Sequence, residues 1–319
     1  MTPFISIIIP AKNEERFVGR CLEGVARLNY DPGRFEVIFV DNNSTDETLK
    51  IAQEKAKKMC NLKIVISDAA TIAGVRMDGF SVARGDILGF LDGDCIPPVN
   101  WLVQGLEILE SRREISCVGF VDSTPDEAAP WVERTWHMMS SGSRWDGTVE
   151  VPWLSSFNLL IKRNFFERAG GFDRSLQTCE DADLGFKLNE ISRLIFSSGM
   201  SVTHLGNVKS VAEFFHKELW RGKSNLAHFI KTNKKKQVFM SVFVPPLYLA
   251  ITLICLVASL IAATGRLPNE YAMLLWLMVL GIPILLTARK KVRGFWMIIK
   301  SAALYTVYLI ARGMAIVNR

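Results

Sequence analysis

Short apolar runs alternate with amphipathic segments through the first hundred residues. The runs SIIIP (6–10), VIFVD (37–41), KIVIS (63–67) and ILGFLD (87–92) are rich in Ile and Val and too short for helices. Continuous apolar runs of this length predict buried parallel strands. Between the first two, Val18, Cys21, Leu22, Val25 and Leu28 recur at helical spacing. After the second, Ser44 and Glu47 have the S-x-x-E form of a capping box, which predicts a helix through ETLKIAQEKAKK. Such alternation predicts a doubly wound α/β sheet, whose ligands bind beyond the carboxyl ends of the strands. Pro10, Asp41, Asp92 and Asp94 all fall at those ends.

From 117 to 205 the pattern loosens. CVGFV (117–121) and FNLLIK (157–162) predict strands, and SSGSRWDGTVEVPWLSSFN predicts a loop carrying Trp145 and Trp153. EDADLGFKLNE opens a helix, and 210–230 is a helical segment. Beyond it the chain changes character. Residues 238–265 carry no charge and exceed the ~20 apolar residues that a spanning helix needs. Residues 271–288 form a second uncharged run, separated from the first only by RLPNE. KTNKKK precedes this hairpin and RKKVR follows it, so the positive-inside rule puts both flanks on the cytoplasmic side. A third apolar stretch, 295–317, contains Lys300 and Arg312. It reads equally as a span with snorkelling ends or as a helix lying in the interface. The expected organisation is a cytoplasmic domain over 1–230 and a membrane domain over 231–319. The latter has spans at about 238–264 and 271–288 and a third apolar helix at about 295–317. The run in MTPFISIIIP is strand-length and lacks the pattern of a signal peptide.

Charge follows the same division. The net +6 arises in the tail, where twelve Lys and Arg from residue 231 onward face one acid, Glu270. Residues 1–230 hold 26 basic and 31 acidic residues, a net of −5, which excludes a nucleic-acid reading for that part. Six cysteines at 21, 60, 95, 117, 179 and 255 form no CxxC pair and suggest neither a disulfide framework nor a zinc motif.

Several acids stand where chemistry is expected. Asp92 and Asp94 flank Gly93 at the end of the fourth run. In an extended segment, side chains two apart point the same way. Two such carboxylates suit a hard cation such as Mg²⁺, which leaves its other positions to phosphate oxygens and water. The alternative is a strand-end turn, where Asp-Gly is common. With Ser44 serving the cap, Asp41 is left for a nucleotide base or ribose, although capping is the commoner use of such a residue. Glu14 is either a ligand or a first-turn acid favoured by the helix dipole. TCEDADLGF places Glu180, Asp181 and Asp183 within four positions, either tolerated by a helix N-terminus or including a general base. In WRGKSN, Trp220 is a stacking platform with Arg221 and Lys223 as phosphate partners, or the group is an interfacial anchor. His204, in VTHLG, is a third metal ligand or a structural histidine. The P-loop, GxGxxG and GxSxG patterns are absent from the sequence.

Taken together, these residues resemble the family-2 glycosyltransferases, which have a GT-A nucleotide-sugar-binding fold. The matching pieces are SIIIPAKNEE, VIFVDNNSTDET, AGVRMDGFSVARGDILGFLDGDC, SSFNLLIKRNFFERAGGFD and CEDADLGFKL, in the family's order. The resemblance implies an inverting transfer of one sugar from a nucleoside-diphosphate sugar, uridine diphosphate by family habit, with Mg²⁺ or Mn²⁺ as cofactor. It places Asp41 on the base, Asp92 on the ribose or metal, Asp94 on the metal, and Asp181 as the base catalyst, while His204 is a candidate metal ligand from its own setting. Pro10, Glu14, Arg76 and Gly93 would complete the donor site. Trp153, Asn158, Glu180, Trp220 and Arg221 would form the acceptor side, with an aromatic loop around Trp145 and Trp153. Two departures stand out: Met77 replaces the Asn of the family's A-R-N-x-G, and HKELW replaces the processive Q-x-x-R-W. Single transfer is therefore expected. The tail implies a multi-pass cell-membrane protein acting on a lipid-linked or membrane-surface acceptor. Alternatives are a polyprenyl-phosphate glycosyltransferase and a non-catalytic nucleotide-sugar-binding scaffold.

Overall fold

The computed structural model describes residues 2–120, 129–140, 147–231, 235–290 and 292–317. The strands are β1 (Ile5–Ala11), β2 (Phe35–Asp41), β3 (Leu62–Ile66), β4 (Ile87–Leu91), β5 (Cys95–Ile96), β6 (Ile115–Gly119), β7 (Thr148–Glu150), β8 (Asn158–Lys162), β9 (Arg193–Ser197) and β10 (Thr203–His204). The helices are α1 (Val18–Ala26), α2 (Thr48–Ala56), α3 (Ile72–Val82), α4 (Trp101–Ser111), α5 (Trp131–Ser140), α6 (Arg163–Arg168), α7 (Glu180–Ile191), α8 (Val211–Gly222), α9 (Asn225–Lys231), α10 (Lys235–Ala263), α11 (Asn269–Arg289) and α12 (Phe295–Val317). They fall into two units: Met1–Thr124 with Trp145–Asn207, and Pro125–Arg144 with Val208–Arg319.

The first unit is a mixed sheet of eight strands in the order β3-β2-β1-β4-β8-β6-β9-β7, covered by helices. β1 and β2 are buried at every position, as continuous apolar runs require of central parallel strands. β3 is parallel to β2 but forms the edge, so it is only partly buried and Ile66 is exposed. On the other side β8 runs antiparallel to both β4 and β6, which makes the sheet mixed. The apolar face of α1, Val18, Cys21, Leu22 and Val25, packs into the core against the strands. The helix after β2 begins at Thr48 rather than at the expected capping box. Asp46 accepts the Thr48 N–H, while Ser44 Oγ accepts from Asn13 N–H.

At the opposite end of the sheet from the strand tips, Glu36 is a buried charge with four partners. Its carboxylate accepts from Ser6 Oγ (2.8 Å), Lys63 Nζ (2.7 Å), the Arg84 backbone N–H (2.8 Å) and Arg84 Nε (3.2 Å). Burial opposes its charge, but the Lys63, Ser6 and Arg84 bonds outweigh burial and hold the pKa down at about 2. A depressed carboxylate contributes stability that is complete above its unfolded pKa, about 4.5, and is lost as pH falls toward 2. Glu36→Gln is therefore expected to cost up to about 3 kcal/mol at neutral pH. The thermal midpoints of the two forms should converge between pH 4.5 and 2. A gap unchanged across that window would refute the assignment.

In the second unit, three helices are long and apolar enough to cross a membrane: Val238–Ala263, Asn269–Arg289 and Phe295–Ala315. The expected hairpin is thus replaced by a set of three, since the third stretch forms one helix of spanning length despite Lys300 and Arg312. Tyr248, Cys255, Val279 and Leu309 join α10, α11 and α12 in one apolar cluster. Val132, Met139, Phe214 and Leu304 join α5, α8 and α12 in another. Polar groups tie α12 to the helices that precede the spans. Arg312 donates to Glu218 (2.8 Å) and to Asn225 Oδ1 (3.2 Å), and Glu218 also accepts from Arg221 (2.8 Å). Glu218 is buried, and paired arginines make such burial tolerable.

Candidate functional site

The strand order places β1 between β2 and β4, so the chain reverses direction across the sheet at this point, the usual location of a ligand crevice. The carboxyl ends of these three strands deliver Pro10, Asp41 and the Asp92-Gly93-Asp94 segment to one edge. The first and third are in contact: a Cβ on Gly93 would stand 3.4 Å from Ala11 Cβ, 3.5 Å from Pro10 O and 3.8 Å from Glu14 Cγ. Glu14 is tied to the second strand's loop by its N–H, which donates to Thr48 Oγ1 (2.7 Å). Asp41 is buried. One carboxylate oxygen caps the following turn by accepting the Ser44 N–H (3.0 Å), and the other is buried with no hydrogen-bond partner. A buried acceptor left unpaired is costly, so Asp41 Oδ1 is an acceptor waiting for a donor.

The DGD segment is a turn and not the extended strand that would aim both carboxylates alike. Cys95 N–H donates to Asp92 O (3.0 Å) across it. The two acids consequently take different partners. Asp92 accepts from Arg76 (2.8 Å), whereas Asp94 Oδ2 lies 3.5 Å from His204 Nε2. His204 arrives there through the β5–β10 ribbon, in which it pairs directly with Cys95. Its ring packs edge-on against Phe157, and its Nδ1 is buried without a partner. Gly206 lies beside it, and a Cβ there would fall 2.1 Å from Asp94 Oδ2, so the carboxylate in this position depends on the missing side chain.

Arg76 connects this turn to the third acidic group. It projects from α3, whose first turn is capped by Thr71 Oγ1 accepting the Gly74 N–H (3.0 Å). The guanidinium is only 3% exposed and donates to Asp92 (2.8 Å) and Glu180 (2.7 Å). Burial opposes its charge, but the Asp92 and Glu180 carboxylates outweigh burial and raise its pKa further. Phe172 lies 5.7 Å from its carbon centre, a cation–π contact. Met77, next to it, turns away from the site toward Gly171, whose left-handed φ of +65° keeps that position free of a side chain.

Glu180 and Asp181 open α7. Cys179, immediately before them, holds the left-handed φ of +68°, which costs an L-residue about 1–2 kcal/mol. The other non-glycine residues with positive φ among those described are Asn13 and Asn43, in the loops after β1 and β2. All three thus lie in segments that border the site, where such strain tends to accumulate. Asp181 Oδ1 accepts the Ala182 N–H (2.8 Å), and the side chain borders a small apolar recess formed by Leu154, Leu159 and Leu184. One turn along, Gly185 makes room for the backbone of Trp153, whose Cβ would lie 2.3 Å from a Cβ on Gly185. Trp153 is 39% exposed there.

Asn158 is fully buried, and its amide is committed to architecture: it accepts from Trp101 Nε1 (2.8 Å) and donates to Phe120 O (3.1 Å) and Met200 O (2.6 Å). These bonds tie β8 to α4 and to the segments that end at Phe120 and Met200. Glu180 faces Arg76 in the interior and is nearly buried. Trp220 and Arg221 belong to the second unit, with Trp220 exposed and Arg221 paired to Glu218. Trp145 lies outside the described residues. Cys95 and Gly206 are site residues that sequence reasoning misses. Their signals, a cysteine adjoining the DGD turn and a glycine two residues after His204, become readable only once the ribbon is known.

Comparison with known proteins adds four observations. Glycosyltransferase AglE of Haloferax volcanii is 30% identical over 175 residues, covering 54% of this chain and 57% of that protein. Beta-monoglucosyldiacylglycerol synthase of Nostoc sp. is 34% identical over 199 residues, covering 59% of this chain and 41% of the other. The chain therefore spans about half the length of these curated relatives. Mannosyltransferase PcManGT from Pyrobaculum calidifontis, solved in complex with GDP-Man and Mn²⁺, superposes with a TM-score of 0.69 at 18% identity, over 98% of this chain and 87% of that one. That likeness concerns the fold. The family model for glycosyl transferase family 2 matches residues 6–171, more than half of the sequence and every strand of the crevice, and the chain belongs to that family.

Proposed function

We propose that the protein transfers a single sugar from a nucleoside-diphosphate sugar to a hydroxyl of a membrane-associated acceptor, with inversion at the anomeric carbon. The observation that carries this reading is the buried Arg76, which fixes the DGD turn and the Glu180-Asp181 pair to one another. A donor-binding turn and a base are thereby held on one rigid support, as transfer chemistry requires. Asp41 Oδ1 supplies the acceptor that a nucleobase or ribose donor would satisfy. Asp181 takes the proton of the attacking hydroxyl. Trp153, exposed one turn from it, offers the acceptor an apolar face. Glu180 and Arg76 act as positioning residues.

Asp94 and His204 fit a divalent cation, since Asp94 Oδ2 and His204 Nε2 are 3.5 Å apart at the mouth of the DGD turn. When bound, such an ion neutralises the charge developing on the diphosphate leaving group. Asp92, fixed by Arg76, stands on the ribose side of the same turn. The PcManGT complex contains GDP-Man, so the donor class is widened from uridine to nucleoside-diphosphate sugars in general. A membrane acceptor is supported by the three apolar helices and by the relative named a beta-monoglucosyldiacylglycerol synthase. The basic flanks of the spans support a catalytic unit on the cytoplasmic side of the membrane.

The test is calorimetry on detergent-purified protein with a panel of nucleotide sugars, with and without Mn²⁺ or Mg²⁺. Metal-dependent binding of one donor, weakened at least about tenfold in Asp94→Ala, is the expected result. Folded protein that binds no donor in the presence of metal would overturn the enzymatic reading, and donor binding without turnover on any acceptor would favour the nucleotide-sugar-binding scaffold.

A further inference from the structure

The ribbon that brings His204 to Asp94 also brings a thiol. Asp94, Cys95 and His204 each offer one ligand atom, and all of these lie within 4.8 Å of one another. Cys95 Sγ is 3.6 Å from Asp94 Oδ1, and His204 Nε2 is 3.5 Å from Asp94 Oδ2. Because Cys95 and His204 are directly paired across antiparallel strands, their side chains rise from the same face. Zinc binds sulfur at about 2.3 Å and nitrogen or oxygen at about 2.0–2.2 Å, so the edge of a tetrahedral site is roughly 3.5 Å. The thiol on one Asp94 oxygen and the imidazole on the other each stand close to that edge, and the three ligand atoms lie within 4.8 Å of one another.

The surroundings make this a built site. Phe157 fixes the imidazole ring, and Leu205 N–H donates to Asp94 O (2.8 Å), closing the ribbon around the three side chains. Gly206 leaves the room that the Asp94 carboxylate occupies. The buried His204 Nδ1 has no partner. Cys95 itself is fully buried, while Asp94 and His204 retain 14% and 13% side-chain exposure, which leaves an entry for the ion.

We infer that Cys95 is a third protein ligand of the cation site, and that the site consequently prefers zinc-like, borderline-soft divalent ions over Mg²⁺. This rests on the Asp94–His204 reading above. Oxygen and nitrogen donors alone serve Mg²⁺ or Mn²⁺, whereas a thiolate favours Zn²⁺ and Co²⁺. Binding forms a metal–sulfur bond and releases the thiol proton to solvent, so each ion taken up through Cys95 frees one proton. The acid, imidazole and thiol supply three ligands, leaving an open position of the kind found in zinc sites that also hold water or substrate.

The experiment is a Co²⁺ titration of metal-free, full-length protein in detergent, followed by absorption, with Zn²⁺ as competitor. Wild type should develop a near-ultraviolet thiolate-to-cobalt charge-transfer band that Zn²⁺ abolishes. Cys95→Ser should still bind Co²⁺ but without that band, and its Zn²⁺ affinity should fall by about tenfold with Mg²⁺ affinity changed little. Cys117→Ser, which alters a buried thiol elsewhere in the sheet, should keep the band. Saturable Co²⁺ binding that gives the same spectrum in wild type and Cys95→Ser overturns the role of Cys95 and leaves the Asp94–His204 pair standing. Absence of saturable binding, or binding indifferent to Asp94→Ala and His204→Ala, overturns the cation site itself. Should Cys95→Ser fail to fold, the wild-type spectrum decides: a charge-transfer band retained in Cys117→Ser supports the thiol ligand, and saturable Co²⁺ binding without that band excludes it.

Discussion

Asp181→Asn is expected to lower turnover by about 10²–10⁴ while donor binding stays within a few-fold of wild type. The substitution removes one proton-accepting charge and keeps the size of the side chain. Asparagine keeps the Oδ1 that accepts the Ala182 N–H, so the first turn of α7 retains its bond. Donor affinity, measured by calorimetry, reports on the strand tips and the DGD turn, which the substitution leaves in place. The drop should therefore appear in kcat. A hydroxyl acceptor needs this base because it must lose a proton as it attacks. A phosphate acceptor is already ionised and needs none. Turnover within about tenfold of wild type would thus reject the hydroxyl acceptor and favour transfer to a lipid phosphate.

The second large effect concerns Arg76. Arg76→Met leaves Asp92 and Glu180 without their shared cation, and Glu180 has only 9% side-chain exposure to recover solvation. Removing one partner of a buried ionic group typically costs about 3–5 kcal/mol. For a unit of this size that corresponds to a fall in thermal midpoint of roughly 10 °C. A double variant, Arg76→Met with Glu180→Gln, should be more stable than the sum of its parts, because it removes the charge stranded by the first change. Arg76→Lys should rescue only part of the loss, since an ammonium cannot span two carboxylates as a planar guanidinium does. Additive effects in the cycle would show that the two residues are not coupled, against the bridge described here.

The parts of this molecule that declare themselves in the sequence share a cause. β1, β2 and β4 are buried on both faces, so every residue between their ends is apolar or paired, and helix α1 shows its inward face at helical spacing. Their ends can be placed, and with them Pro10, Asp41 and the DGD turn. What stays hidden depends on pairings between distant segments. β5 and β10 have two residues each, too few for any period to show, yet their pairing brings His204 to Asp94. The S-x-x-E motif at Ser44 misleads because Asn13 and Glu15 compete for the same loop: Asn13 N–H takes Ser44 Oγ, and Glu15 accepts the Glu47 N–H. Asn158 is expected on the acceptor side, and its long-range partners, the indole of Trp101 and two carbonyls, leave no trace in the local sequence. Arg76 can be placed near the nucleotide, whereas its tie to Glu180 spans 104 positions and leaves no local trace.

The β5–β10 ribbon also sets an order of events during synthesis. Cys95 and His204 are 109 positions apart, so the proposed cation site cannot close until the ribosome has passed residue 206. By then strands β1 to β4 have long been available to pair, since chains emerge at about 5–20 residues per second and fold from the N-terminus. The donor crevice can thus form while the cation site still lacks one side. Only a few residues after Gly206, α8 begins, followed closely by the apolar helices. Completion of the cation site and delivery of the chain to the membrane are therefore nearly simultaneous. A nascent chain arrested before residue 203 should be able to hold a nucleotide but have no means to assemble the metal-dependent half of the site.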